Sequence, residues 1–285
     1  MQVSLLQCQS SRDVSANLQQ LESQLNQLPR QADEPQLVVL PECVCLFGGH
    51  EGEQLAHAGE LTASGHDSLL RRTLADYARR FQIWLVAGTI PALAADGRVY
   101  SRCYLFDDKG QVQGQYDKMH LFDVDVEDGT RSYRESDTFC PGEQISVIDT
   151  PFGKLGLAIC YDVRFPDLFR ALRLAGAEII ALPAAFTAVT GEAHWQTLVQ
   201  ARALDSQCFM LAAGQWGRHN QGNRETWGQS MIVDPWGRIL AQLPQGIGWV
   251  QAKLDFAELA RVRKAMPIVS HNRFKAPKLN TGVNE

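Results

Sequence analysis

Short apolar runs alternate with segments of helical periodicity from one end of the chain to the other. Residues 3–8 form an apolar run that predicts a strand. Asp13 then stands where a helix cap belongs. Val14, Leu18, Leu21, Leu25 and Leu28 follow at the spacing of one helical face. Residues 37–40 predict a buried strand that ends at Pro41, because proline cannot extend a central ladder. Residues 69–81 read as a helix and 83–89 as a strand. Residues 99–106 and 112–116 predict a hairpin across Asp107-Asp108-Lys109-Gly110, and 145–148 with 154–159 another across Thr150-Pro151-Phe152-Gly153. The second half continues in the same style. A helix is expected over 167–176, a strand over 179–182, an amphipathic helix over 193–204 and a strand over 209–213. Strands at 230–233 and 238–242 flank Asp234-Pro235-Trp236-Gly237, and a strand at 248–254 precedes a helix at 256–265.

No low-complexity linker interrupts this alternation, so residues 1–275 are expected to form a single domain, with a polar tail at 276–285. Mixed strands, hairpins and helices imply helices packed outside sheets, a layered α/β architecture. The pattern leaves strand order and sheet number open.

Composition narrows the function. The chain has 285 residues, 45 % of them hydrophobic, enough to fill a substantial core. A net charge of −5 leaves no basic excess for phosphates, which argues against nucleic-acid binding. Seven cysteines make an odd count in a long chain, so a disulfide framework is not expected. Residues 1–9 carry neither a basic start nor a long apolar stretch, so no signal peptide or membrane span is expected and a reducing cytoplasm is the expected location. The seven histidines form no H-E-x-x-H and no paired Cys/His module, so no metal is expected. His194 is expected to pack with Trp195, and Gly153 to Gly156 is not a G-x-G-x-x-G.

The chemistry concentrates at Cys160. It ends the run Gly156-Leu157-Ala158-Ile159 and is followed almost at once by a helix-like segment. A thiol at such a strand-to-helix turn is exposed for attack, and a nearby helix start is expected to favour thiolate. Glu42, just past Pro41, can project from a strand end into a cleft. Lys118 follows another expected strand, and Glu135 lies in Tyr133-Arg134-Glu135-Ser136. Each of these three alone reads most simply as a surface charge. Together they are complementary. A free thiol and a free carboxyl differ by about 4 pH units, so proton transfer between them costs roughly 6 kcal/mol unperturbed. Burial of the Glu and a lysine beside the thiol are expected to close that gap.

The order Glu42, Lys118, Cys160 resembles the Glu-Lys-Cys triad of the nitrilase superfamily of carbon–nitrogen hydrolases. Leu40-Pro41-Glu42 is similar to its base motif, Lys118-Met119-His120-Leu121-Phe122 to its lysine motif, and Cys160-Tyr161-Asp162-Val163-Arg164-Phe165-Pro166 to its nucleophile motif. Glu135 matches the extra glutamate of the superfamily. The resemblance runs from residue 3 to about residue 275 and implies a four-layer α-β-β-α sandwich. Residues 185–195 and Asp234-Pro235-Trp236-Gly237 are similar to the branch of omega-amidases and deaminated glutathione amidases. Residues 202–208 and 215–220 are closer to the latter. Glu192 departs from that branch, which usually has proline there; a helix start tolerates Glu.

The resemblance implies a thiol-dependent amidase without metal or organic cofactor. Glu42 would be the proton acceptor and Cys160 the nucleophile. Lys118 and the Tyr161 backbone N–H would stabilise the oxyanion, with Glu135 in support. Substrates of the branch are small 2-oxo-acid amides. Arg164 would clamp the carboxylate, or else bridge to Asp162 or Asp167. Phe186, Thr190 and, less directly, Thr187 would line that pocket. The implied reaction splits deaminated glutathione into 2-oxoglutarate and cysteinylglycine. The alternative is an omega-amidase cleaving 2-oxoglutaramate or 2-oxosuccinamate. A non-catalytic binding protein on the same fold is a further alternative, against which all three triad residues stand. The resemblance also implies a homodimer, with Phe165, Leu168, Phe169 and Leu172 either at that face or in the core, and the 266–274 segment reaching toward the partner. Residues 43–59 match nothing specific and are placed to shape the mouth.

Overall fold

Strand Gln2–Gln7 is buried on both faces, and its alternate residues enter two different cores. In the computed structural model, which describes residues 1–30, 35–48, 51–62, 65–126, 132–220 and 224–278, Val3 and Leu5 point one way and Leu6 the other. The strand sits in an eight-stranded sheet ordered Phe139–Cys140, Val99–Phe106, Trp84–Val86, Gln36–Val39, Gln2–Gln7, Gly248–Lys253; Ile90–Leu93 and Val112–Asp117 also pair with Val99–Phe106. The second sheet has six strands, ordered Ser146–Thr150, Gly153–Leu157, Ile179–Ala184, Phe209–Gly214, Ser230–Val233, Ile239–Leu243. Each sheet has three parallel strands side by side and antiparallel partners outside them.

Val3, Leu5, Leu37 and Val39 of the first sheet share one core with Leu155, Ile180, Leu211 and Ile232 of the second. On the outer face of the first sheet, Leu6, Val38 and Leu85 meet Leu21, Leu25, Leu70 and Leu74 from helices Val14–Asn26 and Leu69–Arg80. Asp13 caps the former by accepting from Ala16 N–H at 3.0 Å, as its position in the sequence predicts. Helices Pro166–Leu174 and Gln196–Ser206 cover the second sheet with Leu168, Phe169, Leu172, Val199 and Ala203. The layers run α-β-β-α.

Two expected elements are trimmed for steric reasons. The strand expected over 83–89 covers only Trp84–Val86, since the chain turns at Gly88, where φ is +63° and a Cβ would lie 2.1 Å from the Pro41 carbonyl oxygen. The helix expected from 193 begins at Gln196, because Gly191–Trp195 forms a π turn. Leu168, Phe169 and Leu172 are core residues, which removes them from the expected subunit face, and Phe165 stacks on His120 at 3.7 Å. Of the tail, residues 279–285 lie outside the described residues. Among those described, no helix is long and apolar enough to cross a membrane.

The parallel strands place chemistry at their carboxyl ends, where open α/β sheets bind ligands. Glu42 follows Gln36–Val39 in one sheet. Cys160 follows Gly153–Leu157 and Ala185 follows Ile179–Ala184 in the other.

Candidate active site

Glu42, Lys118, Glu135 and Cys160 meet on one cavity of about 220 Å³. Lys118 is at its centre. Its Nζ donates to Glu42 Oε1 at 2.8 Å and to both Glu135 oxygens at 2.9 Å. Lys118 is 2 % exposed and Glu42 5 %. Burial alone would pull the ammonium toward neutrality, yet the Glu135 and Glu42 charges outweigh it and hold its pKa well above the usual lysine value. Burial raises the Glu135 carboxyl, with Lys118 opposing.

Cys160 adopts a left-handed conformation, φ +46°, that L-residues rarely occupy, and this turns its side chain out of the strand end. The sulfur accepts from Ala185 N–H at 3.5 Å. The expected pull of a helix start and a lysine toward thiolate meets larger opposing influences here. Burial pushes the Cys160 thiol well above the ordinary cysteine value, the Glu42 charge adds to that, and Lys118 only partly opposes them. The helix whose start was to stabilise thiolate begins at Pro166, after a 3₁₀ turn over Cys160–Arg164. Tyr161 also lines the cavity, and its N–H precedes the first bond of the 3₁₀ turn, Asp162 N–H to Ile159 O at 2.9 Å.

Asp162 ties this turn to the lysine segment. One oxygen accepts from Ile159 N–H and Tyr116 O–H, each at 2.8 Å. The other accepts from His120 N–H at 3.2 Å and His120 Nδ1 at 2.6 Å. The sequence reading treated Asp162 only as a partner for Arg164; nothing local announces four donors converging from two segments. Asp162→Asn turns an NH₂ toward two of them. It is expected to cost about 2–4 kcal/mol of stability, read as a lower urea midpoint; a midpoint equal to wild type would remove the clamp assignment.

Phe186, Thr187 and Thr190 line the cavity as well. Thr187 and Thr190 hydroxyls are 2.8 Å apart, and Thr187 also accepts from Thr190 N–H at 3.4 Å, capping its own short turn. Arg164 is not a lining residue. Its guanidinium stands 5.2 Å from the Phe186 ring centroid and 5.8 Å from that of Tyr161, with Nη1 3.3 Å from His194 Nδ1. It bridges to neither Asp162 nor Asp167. His194 is exposed and pairs with Arg164 rather than packing with the fully buried Trp195.

The segment expected to shape the mouth contributes Cys43, Gly48 and Gln54 to the cavity wall, and Arg134 and Arg224, to which the sequence reading assigned no role, add charge. Behind Glu42, Gln215 Nε2 donates to its backbone carbonyl at 3.0 Å and to Ser10 Oγ at 2.8 Å, fixing the carboxylate's base. Gln215 opens the 215–220 stretch that carries the family resemblance, which marked the residue without showing this bond.

A carbon–nitrogen hydrolase family model matches residues 2–264. The chain belongs to the carbon–nitrogen hydrolase family. Its reaction class is hydrolysis of a carbon–nitrogen bond. It is 43 % identical over 279 residues to a deaminated glutathione amidase of Yersinia enterocolitica, covering 95 % of this chain and 93 % of the relative. It is 35 % identical to an omega-amidase of Saccharomyces cerevisiae, covering 93 % of this chain and 90 % of that one. The crystal structure of an S. cerevisiae member of branch 10 of the nitrilase superfamily superposes with a TM-score of 0.82 at 33 % identity, covering 96 % of this chain and 97 % of that one. The four-layer fold is thus that of the nitrilase superfamily.

Proposed function

We propose that this carbon–nitrogen hydrolase is an amidase that splits deaminated glutathione into 2-oxoglutarate and cysteinylglycine through a thioester on Cys160. The observation that carries the chemistry is the Lys118 ammonium held between Glu42 and Glu135, at 2.8 and 2.9 Å, on the wall that bears Cys160. As the sulfur attacks the amide carbon, Glu42 takes the thiol proton. Lys118 and the Tyr161 N–H stabilise the carbonyl oxygen as it gains charge. The C–N bond then breaks and Glu42 returns the proton to the departing nitrogen. Water attacks the thioester, Glu42 accepts the water proton, and collapse frees the acid while the sulfur regains a proton. Glu135 orients Lys118. Neither protein partner nor cofactor enters any of these steps.

The similarity to the Y. enterocolitica amidase supports the substrate, and the reach of the cavity to Gly48 and Gln54 leaves a side for a dipeptide leaving group. The similarity to the yeast omega-amidase favours the second reading, in which ammonia leaves from 2-oxoglutaramate. The two differ in leaving-group size. Comparing kcat/KM for deaminated glutathione, 2-oxoglutaramate, an N-carbamoyl amino acid and a simple nitrile decides between them; preference for either of the last two rejects both.

The 2-oxo acid would lie along Phe186, Thr187 and Thr190, with Arg164 supplying positive charge for its carboxylate. Arg164→Ala is expected to lower kcat/KM on 2-oxo-acid amides about 10- to 100-fold more than on a neutral short-chain amide. Equal losses on both would refute that role.

The reading extends to a cytoplasmic homodimer. Leu174 and Val269 are exposed, and Phe274 is 82 % exposed while its carbonyl accepts from Arg170 at 2.7 Å. This is the face proposed for the partner in place of the buried Leu168, Phe169 and Leu172. Sedimentation is expected to give twice the chain mass, reduced toward one by Leu174→Asp; a monomeric wild type would reject it.

A further inference from the structure

We propose that Arg224 is a specificity residue that binds a carboxylate on the leaving-group side of the scissile amide, an inference that rests on the amidase reading above. Among the described residues, the cations lining the cavity are Lys118, Arg134 and Arg224. Lys118 is spent on Glu42 and Glu135. Arg134 Nη2 is paired with Asp125 at 3.0 Å, and its Nη1 donates to backbone carbonyls of Val124 and Tyr133. Arg224 has no carboxylate partner among the described residues, and its Nε is buried without a hydrogen bond. An N–H so placed has lost water without gaining an acceptor, while the half-buried guanidinium keeps its other N–H groups free to meet a ligand.

Its position is built rather than incidental. The guanidinium stands over the rings of Phe47 and Tyr133, 4.7 Å and 5.3 Å from their centroids, so both π faces attract its charge. Phe47 is fully buried and stacks at 3.7 Å on His219. His219 is fixed in turn, Nδ1 2.7 Å from Ser10 O and Nε2 2.7 Å from Thr226 Oγ1. Burial lowers the His219 pKa to about 4, so that ring is neutral near pH 7 and brings no competing charge. The result is a planar, permanently charged fork on a rigid aromatic stack, suited to bidentate capture of a carboxylate.

The side of the cavity follows from the neighbours. Arg224 stands over Phe47, next to Gly48 on the side taken above for the leaving group, and opens the strand whose Thr226 bridges Thr187 of the wall proposed for the 2-oxo acid. Arg224 lines the same cavity as Glu42, Lys118, Glu135 and Cys160. In cysteinylglycine the terminal carboxylate lies two residues, at most about 7 Å, beyond the scissile nitrogen. A substrate with carboxylates at both ends would thus have Arg164 behind the Phe186 wall on its acyl side and Arg224 in the cavity on its leaving side. Ammonia-releasing substrates leave Arg224 unused.

The test compares deaminated glutathione with its C-terminal glycine amide, on wild type, Arg224→Gln and Arg224→Lys. Wild type is expected to prefer the acid by about 10- to 100-fold in kcat/KM. Arg224→Gln is expected to bring that ratio near one, and Arg224→Lys to retain part of it. The ratio is taken within one preparation, so the folded fraction cancels. Equal rates on acid and amide in wild type, or an undiminished ratio in Arg224→Gln, overturns the role of Arg224 while leaving the amidase reading intact. A wild type that cleaves neither compound nor 2-oxoglutaramate overturns that reading, and this inference with it.

Discussion

Cys160→Ala is expected to lower turnover by roughly 10⁵-fold, a loss of the size expected when a covalent nucleophile is removed. Binding should survive, because the sulfur accepts one weak bond, from Ala185 N–H at 3.5 Å, and carries none of the groups proposed to hold the substrate. Cys160→Ser is the sharper variant. It keeps a nucleophilic atom at φ +46° in the same turn. An alcohol, however, is a far weaker acid than a thiol, and Glu42 would have to bridge a gap much larger than the ~4 units separating a free thiol from a free carboxyl. The serine enzyme is therefore expected to stay within tenfold of the alanine enzyme. Because burial and the Glu42 charge push the Cys160 thiol upward, wild type is expected to show no thiolate absorbance at neutral pH. Residual hydrolysis above one part in a hundred for Cys160→Ala would remove the nucleophile assignment.

The second large effect belongs to Lys118. Lys118→Met deletes the charge that bridges Glu42 and Glu135 while keeping most of the volume. Two things are lost at once. The oxyanion loses a charged donor, itself worth about 10²- to 10³-fold. The two carboxylates then face each other without a counterion, and one of them takes a proton. Glu135, already raised by burial, loses the lysine that opposed it, so its pKa climbs further. The loss in kcat is expected to exceed about 10³-fold with a smaller change in KM. A variant within tenfold of wild type would show that Lys118 is structural only.

How much of this was legible in the sequence follows from what each feature depends on. Long apolar strands and the 14–26 helix announce themselves because their periodicity is local; Asp13 even marks its own helix start. Glu42, Lys118 and Cys160 sit just past such strands, in motifs long enough to recognise. The small ribbons Asp123–Asp125 with Ser132–Arg134, and Trp216–His219 with Arg224–Trp227, are too short and polar to carry a period. They are nevertheless what delivers Tyr133 and Arg224 to the cavity. Asp162 was hidden for a different reason: its four donors come from Tyr116, His120 and Ile159, a convergence only the fold creates. A helix start and a lysine can be read locally, whereas the burial that pushes the Cys160 thiol upward sums over both sheets. The motif marks Arg164, whereas its place over Phe186 depends on a loop 22 residues further on.

The most direct test is to catch the acyl-enzyme. Wild type mixed with excess deaminated glutathione and quenched in acid within the first turnovers should gain the mass of one 2-oxoglutaryl group, mapped to the peptide containing Cys160 and released by hydroxylamine. The same quench of Cys160→Ala should show no gain. Full turnover without any adduct, or an adduct on Cys43 or another thiol, would contradict a thioester at Cys160.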